Sequence, residues 1–102
     1  MSTFMNVVRS KVKEGKKDEY IKKLKEFFNN MEGTEGLISL KQIQTGSNNY
    51  CVIGEWKNED AIAKARPKLI AGLDTVRSVL DEISPKLGIT DPASGPVIME
   101  TK

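Results

Sequence analysis

The chain has 102 residues, 38% hydrophobic and 29% charged, a composition that fits one folded domain with a modest core and excludes a disordered segment. Its net charge of +2, from 16 basic and 14 acidic residues, is too small to point to nucleic acid. No apolar run approaches the roughly 20 residues of a membrane span, and the single cysteine, Cys51, excludes an intrachain disulfide.

The first residues, M-S-T-F-M-N-V-V-R, lack a basic segment followed by a long apolar core. A cytoplasmic protein without a secretory signal is therefore the expectation. Phe4–Lys13 then alternates as a strand does. Phe4, Asn6, Val8, Ser10 and Val12 share one face, and Met5, Val7, Arg9 and Lys11 the other. Gly15 ends this strand. Over Lys16–Met31 the residues Tyr20, Ile21, Leu24, Phe27, Phe28 and Met31 recur at helical spacing, with Asp18 suited to the positive end of the helix dipole. Asn29, Asn30 and Gly33 supply the stop. The lysines between Lys16 and Lys25 fall on one side of this helix and read as a solvated face.

Gly36–Gln44 and Tyr50–Trp56 form two further strands around the turn Gly46-Ser47-Asn48-Asn49, hence a hairpin. Asn58 can cap a second helix that begins with Glu59 and Asp60. Pro67 removes the bond to the carbonyl of Ala63, so a kink or restart is expected there. Beyond it, Leu69, Leu73, Val76, Leu80 and Ile83 repeat as a narrow apolar seam that carries the helix to Ser84-Pro85. Residues 85–102 read as a loop through Asp91-Pro92-Ala93-Ser94-Gly95-Pro96 and then a short last strand over Val97–Thr101.

The order is β-α-β-β-α-β in a single domain, residues 1–102. Right-handed crossovers turn that order into an α+β, ferredoxin-like fold, a four-stranded antiparallel sheet with both helices on one face. The strands carry apolar residues on both faces: Val52 and Trp56 on one side of the third strand, Cys51 and Ile53 on the other. A second apolar face left in water would be a large exposed patch, so two sheets packed face to face as a homodimer are expected.

The β-α-β-β-α-β order, the turn V-K-E-G at 12–15 and the segment E-W-K-N-E-D-A-I at 55–62 resemble the antibiotic biosynthesis monooxygenase family of dimeric α+β barrels. The resemblance covers most of residues 4–84. It implies a pocket between the sheet and the helices of each subunit. That pocket would be lined by Asn6, Val8 and Ser10 of the first strand, alternate residues of the third, and the inner side of helix two. The family includes cofactor-independent monooxygenases of polycyclic phenols, quinol oxygenases and haem-degrading enzymes. Haem-degrading members use a histidine on helix two, an asparagine on strand one and a tryptophan on helix two. This chain has no histidine, with Val8 and Ala65 at the other two places, so an ordinary iron ligand is missing. Polyketide-oxidising members use a tryptophan, an asparagine, a tyrosine and an arginine. Trp56 resembles the first. Val52 and Ile62 stand where the asparagine and tyrosine would fall, and Arg77 lies near the arginine's place.

Each candidate also has a plain structural role. Trp56 could stack on a planar ligand or serve as a core aromatic with its ring N–H bonded. Asn6 could stabilise an oxyanion or make a structural hydrogen bond. Arg77 and Arg66 could hold an anionic substrate or form surface salt bridges. Tyr50 shares the Val52–Trp56 face and could touch a ligand or fill the core. Cys51 points to the other face as a small hydrophobe. Gly72, mid-helix, needs a close approach by something to explain it. With Trp56, Asn6 and Arg77 as catalytic candidates and Arg66, Tyr50, Ser10, Val8 and Ile62 as substrate contacts, the expectation is a monooxygenase. It would act on a planar phenolic or quinol-like molecule and need no metal, haem or flavin. A non-catalytic dimeric module for a small ligand, and isomerase or lyase chemistry on a lactone or dienone, fit the same barrel. Neither a membrane nor nucleic acid is an expected partner; N-Y-C-V-I-G-E-W lacks the paired aromatics on which an RNA-binding sheet stacks bases.

Overall fold

The computed structural model describes residues 3–101. Strand β1 (Phe4–Val12) leads to helix α1 (Lys17–Met31). The hairpin β2 (Leu37–Gln44) and β3 (Asn49–Trp56) follows, then helix α2 (Glu59–Val76). A 3-10 turn (Arg77–Val79), a two-residue β4 (Leu80–Asp81) and β5 (Thr90–Pro96) complete the chain. All pairings are antiparallel, in the order β2-β3-β1-β4, and β5 continues beside β4 along the same edge of β1. The sheet is thus four positions wide and five strands in count, and the fold is the expected ferredoxin-like α+β arrangement.

The hairpin and both helices follow local rules. Asn58 caps α2, its side chain accepting from the Ala61 amide at 2.9 Å, which satisfies one of the free N–H groups of the first turn. Glu59 and Asp60 stand in that first turn. Gly36, at φ +82, sits where α2 passes close: a side chain there would collide with Ala61.

Three boundaries differ from the sequence expectation. First, α2 runs through Pro67 as one helix. Pro67 and Ala63 are both exposed, so the carbonyl that loses its partner turns to water. Second, α2 ends at Val76. Leu80 belongs to β4, pairing with Val12, and does not continue the helical seam. The four-and-three repeat survives this change because Val76, Val79 and Leu80 all enter the same core cluster. Third, the last strand is Thr90–Pro96, pairing with β1 from Ser10 to Phe4, and Val97–Thr101 is not a strand. The two prolines of this strand are tolerated because β5 lies at the sheet edge, where missing N–H groups break no further ladder.

The core is divided. One buried cluster holds Val12, Tyr20, Tyr50, Val76, Val79 and Leu80. The other holds Phe4, Met31, Trp56, Ile62 and Ala65. Between them the two helices approach closely at Gly72, where a Cβ would strike the ring of Phe27. That contact answers the question of the mid-helix glycine: the close neighbour is α1.

Candidate functional site

A cavity of about 240 Å³ lies between the sheet and the helices, flanked by the two core clusters. It is somewhat smaller than the ~300–1,000 Å³ typical of ligand pockets. Its floor is the inner face of the sheet: Asn6, Val8 and Ser10 of β1, Val52 of β3, and Leu40 and Gln42 of β2. Its roof is apolar, from Leu24 and Phe27 on α1 and Leu69 and Leu73 on α2. Thr90 and Pro92 of β5 close one side. The strand alternation that puts Asn6, Val8 and Ser10 on one face thus places all three in one cavity.

Asn6 is held from behind. The Trp56 ring nitrogen donates to Asn6 Oδ1 at 2.8 Å. Trp56 itself is fully buried in the second cluster. The bond fixes the amide: with Oδ1 occupied, the two N–H groups of Nδ2 are the atoms left to donate. Gly54 makes this possible. It is the cross-strand partner of Asn6, and a side chain there would collide with Asn6 Oδ1 and stand 2.9 Å from the Trp56 ring nitrogen. Gly54, Trp56 and Asn6 therefore form one unit that fixes the amide of a cavity-lining asparagine. A fixed amide at the wall of an apolar cavity is the kind of donor that suits a developing oxyanion.

A second polar group sits at the other end. Gln42 Nε2 donates to the Tyr20 hydroxyl at 2.7 Å, tying β2 to α1. Burial raises the pKa of the Tyr20 hydroxyl, and hydrogen bonds from Ser10 and Gln42 pull it partly back. Among the described residues Tyr20 is the one titratable residue of the lining; at neutral pH it is a protonated donor and not a base. No carboxylate of the described residues lines the cavity.

The remaining sequence candidates lie around this site. Tyr50 is buried in the first cluster, its ring 5.0 Å from that of Tyr20. Ile62 is buried in the second cluster beside Trp56. Arg77 is exposed in the 3-10 turn and donates to Asp74 at 3.1 Å. Arg66 is exposed on α2. Neither arginine lines the cavity, because Ala65, Leu69, Leu73 and Val76 take the inward positions of α2. Sequence reasoning did not single out Gln42 or Tyr20. The signal for Gln42 was present: it alternates with Leu40 on the inner face of β2. Tyr20 was hidden within the apolar stripe of α1. Among the described residues there is no cluster of His, Cys, Asp or Glu that could hold a metal ion, and no helix long and apolar enough to cross a membrane.

Residues 3–66 match the model of the family described as antibiotic biosynthesis monooxygenase. The chain belongs to that family. The match spans β1 to the middle of α2, including the Asn6–Trp56 unit. Solved structures are similar to it along nearly the whole chain. A conserved protein from Methanosarcina mazei is 19% identical with a TM-score of 0.78, covering 93% of this chain and 92% of its own. A mutant of SnoaB, a cofactor-independent oxygenase from Streptomyces nogalater, is 14% identical with a TM-score of 0.78, covering 98% and 97%. A protein of unknown function from Nitrosomonas europaea is 15% identical with a TM-score of 0.76, covering 100% and 95%. At these identities the likeness is one of fold. No curated protein sequence matches at a significant level.

Proposed function

We propose that this family member is a cofactor-independent monooxygenase that oxidises a small planar phenol or quinol in the cavity between sheet and helices. The observation that carries this reading is the Asn6 amide, held by Trp56 at the wall of an apolar cavity. The description of SnoaB as a cofactor-independent oxygenase supports the same chemistry on this fold.

The step is balanced without a further reactant. The phenol loses its hydroxyl proton, and the phenolate oxygen is stabilised by Asn6 Nδ2. The electron-rich ring reduces dioxygen, and one oxygen atom joins the ring carbon para to the phenolate. The O–O bond then breaks. The ring hydrogen leaves with the hydroxyl proton and the second oxygen as water. Phenol and dioxygen become quinone and water. Because the lining holds no carboxylate among the described residues and the chain has no histidine, the substrate ionises by itself or through solvent. The protein contributes binding, exclusion of water and anion stabilisation.

The protein acts as a homodimer in this reading. The outer face of the sheet presents Met5, Val7, Cys51 and Ile53 at its centre, with Ile43 exposed beside them. Arg9, opposite Cys51 on the same face, pairs with Asp91 of β5. Apolar side chains with Met and a paired arginine among them fit the composition of a protein interface.

The test is oxygen consumption by the purified protein with a panel of phenols and naphthols in the presence of a chelator. Uptake of one dioxygen per quinone formed supports the reading. Binding without uptake favours the non-catalytic ligand-binding module, which the missing base also favours.

A further inference from the structure

Gly72 belongs to the cavity lining and is buried in the middle of α2. What covers it is the ring of Phe27: a Cβ at position 72 would fall on ring atoms Cγ, Cδ1 and Cε1 of that residue. The ring edge therefore occupies the space that a side chain of α2 would fill. Phe27 lines the cavity as well. Two further contacts hold the ring in place. It packs against the second core cluster, and the Phe28 ring meets it edge-on with centroids 5.8 Å apart.

This placement limits the cavity. Here α2 contributes backbone and α1 contributes the ring, so one side chain sets the width of the space between the helices. The volume gives the scale. An apolar cavity of about 150 Å³ takes a benzene ring, so the 240 Å³ here has room for about two fused rings.

We propose that Phe27, seated on Gly72, is the size-selecting wall of the cavity, which admits a phenol of up to two fused rings and disfavours a third. This rests on the reading of the cavity as an aromatic-substrate site, and it adds the size class of the substrate and the residue that sets it. Hydrophobic transfer alone orders such ligands the other way, because a third ring adds apolar surface to bury. Weaker binding of the larger ligand is thus the mark of a wall. A Phe27 that served only to stabilise the fold would not produce it.

The test is fluorescence titration with 2-naphthol and 2-anthrol, which differ by one fused ring. Wild-type protein is expected to bind 2-naphthol at least about tenfold more tightly. Phe27→Ala vacates the space over Gly72 and is expected to abolish or reverse that preference while 2-naphthol still binds. Adding Gly72→Leu to Phe27→Ala fills the same space from α2 and is expected to restore the preference. Thermal melts accompany each variant. Phe27→Leu, a smaller change with the same expected direction, takes the place of Phe27→Ala if that variant does not melt cooperatively. Equal or tighter binding of 2-anthrol by wild type overturns the proposal, as does a preference that is unchanged in the Phe27 variants; in both cases the cavity still takes an aromatic ligand and the substrate reading stands. Binding of neither compound by wild type overturns the proposal and the substrate reading together.

Discussion

The ring nitrogen of Trp56 donates to Asn6 Oδ1 at 2.8 Å, across the β1–β3 pair. The tryptophan is therefore a positioning residue: it stands behind the asparagine, which alone of the two lines the cavity. Removing Asn6 leaves the buried Trp56 ring N–H unpaired, at a cost of about 1–3 kcal/mol, and removing Trp56 frees the half-buried Asn6 amide and opens a gap in the second cluster. Trp56→Phe and Asn6→Leu are each expected to lower stability in urea denaturation. The double variant should show a coupling of about 1–2 kcal/mol. Additive effects would mean the bond contributes nothing.

Gly54 and Gly72 respond differently to the same substitution. In Gly54→Ala the new methyl meets the held amide oxygen and the ring nitrogen of a fully buried tryptophan. The fully buried tryptophan ring has no room to yield and the amide that it holds would lose its bond, so a loss of about 1–3 kcal/mol is expected. In Gly72→Ala the methyl meets the Phe27 ring, which has the cavity beside it. Helix propensity returns about 1 kcal/mol, so stability changes little while the ring moves inward and naphthol binding falls. Thermal melts with ligand titration check both. Equal stability losses in the two variants would contradict this difference.

The Tyr20 hydroxyl has its pKa raised by burial. A raised value in the folded state means that its stabilising effect is complete below the unfolded value of about 10 and is lost as pH rises through the folded value. Wild type is expected to lose stability above about pH 10 more steeply than Tyr20→Phe. Parallel stability–pH curves for the two proteins would contradict this.

Much of the architecture was legible in the sequence, because it rests on local periodicity. The alternation of Phe4, Asn6, Val8 and Ser10 put these residues on one face of β1, the face on which Asn6, Val8 and Ser10 line the cavity, and Asn58 marked the start of α2. The end of the chain was not legible for identifiable reasons. Pro92 and Pro96 read as breakers, yet an edge strand accepts them. Leu80 fitted a helical repeat, yet its pairing with Val12 across β1 decided its state. The site was half legible. A free amide on a strand can be seen in sequence. What Asn6 bonds to, and that Arg66 and Arg77 face water, depends on packing between elements far apart in the chain.

Val7 and Ile53 are cross-strand partners on the outer face of the sheet. If two sheets pack on this face, Ile53→Asp buries a charge in the interface and is expected to give a monomer in sedimentation. The wild type should run as a dimer at micromolar concentration. A monomeric wild type would contradict the interface.

The most direct measurement is oxygen uptake with a naphthol or quinol substrate, in wild type beside Asn6→Ala. The oxygenase reading predicts one dioxygen consumed per quinone formed. It also predicts turnover reduced about 100-fold or more in the variant, as for loss of an oxyanion donor. Equal turnover in the two proteins, or no uptake by wild type with substrates that it binds, would contradict it.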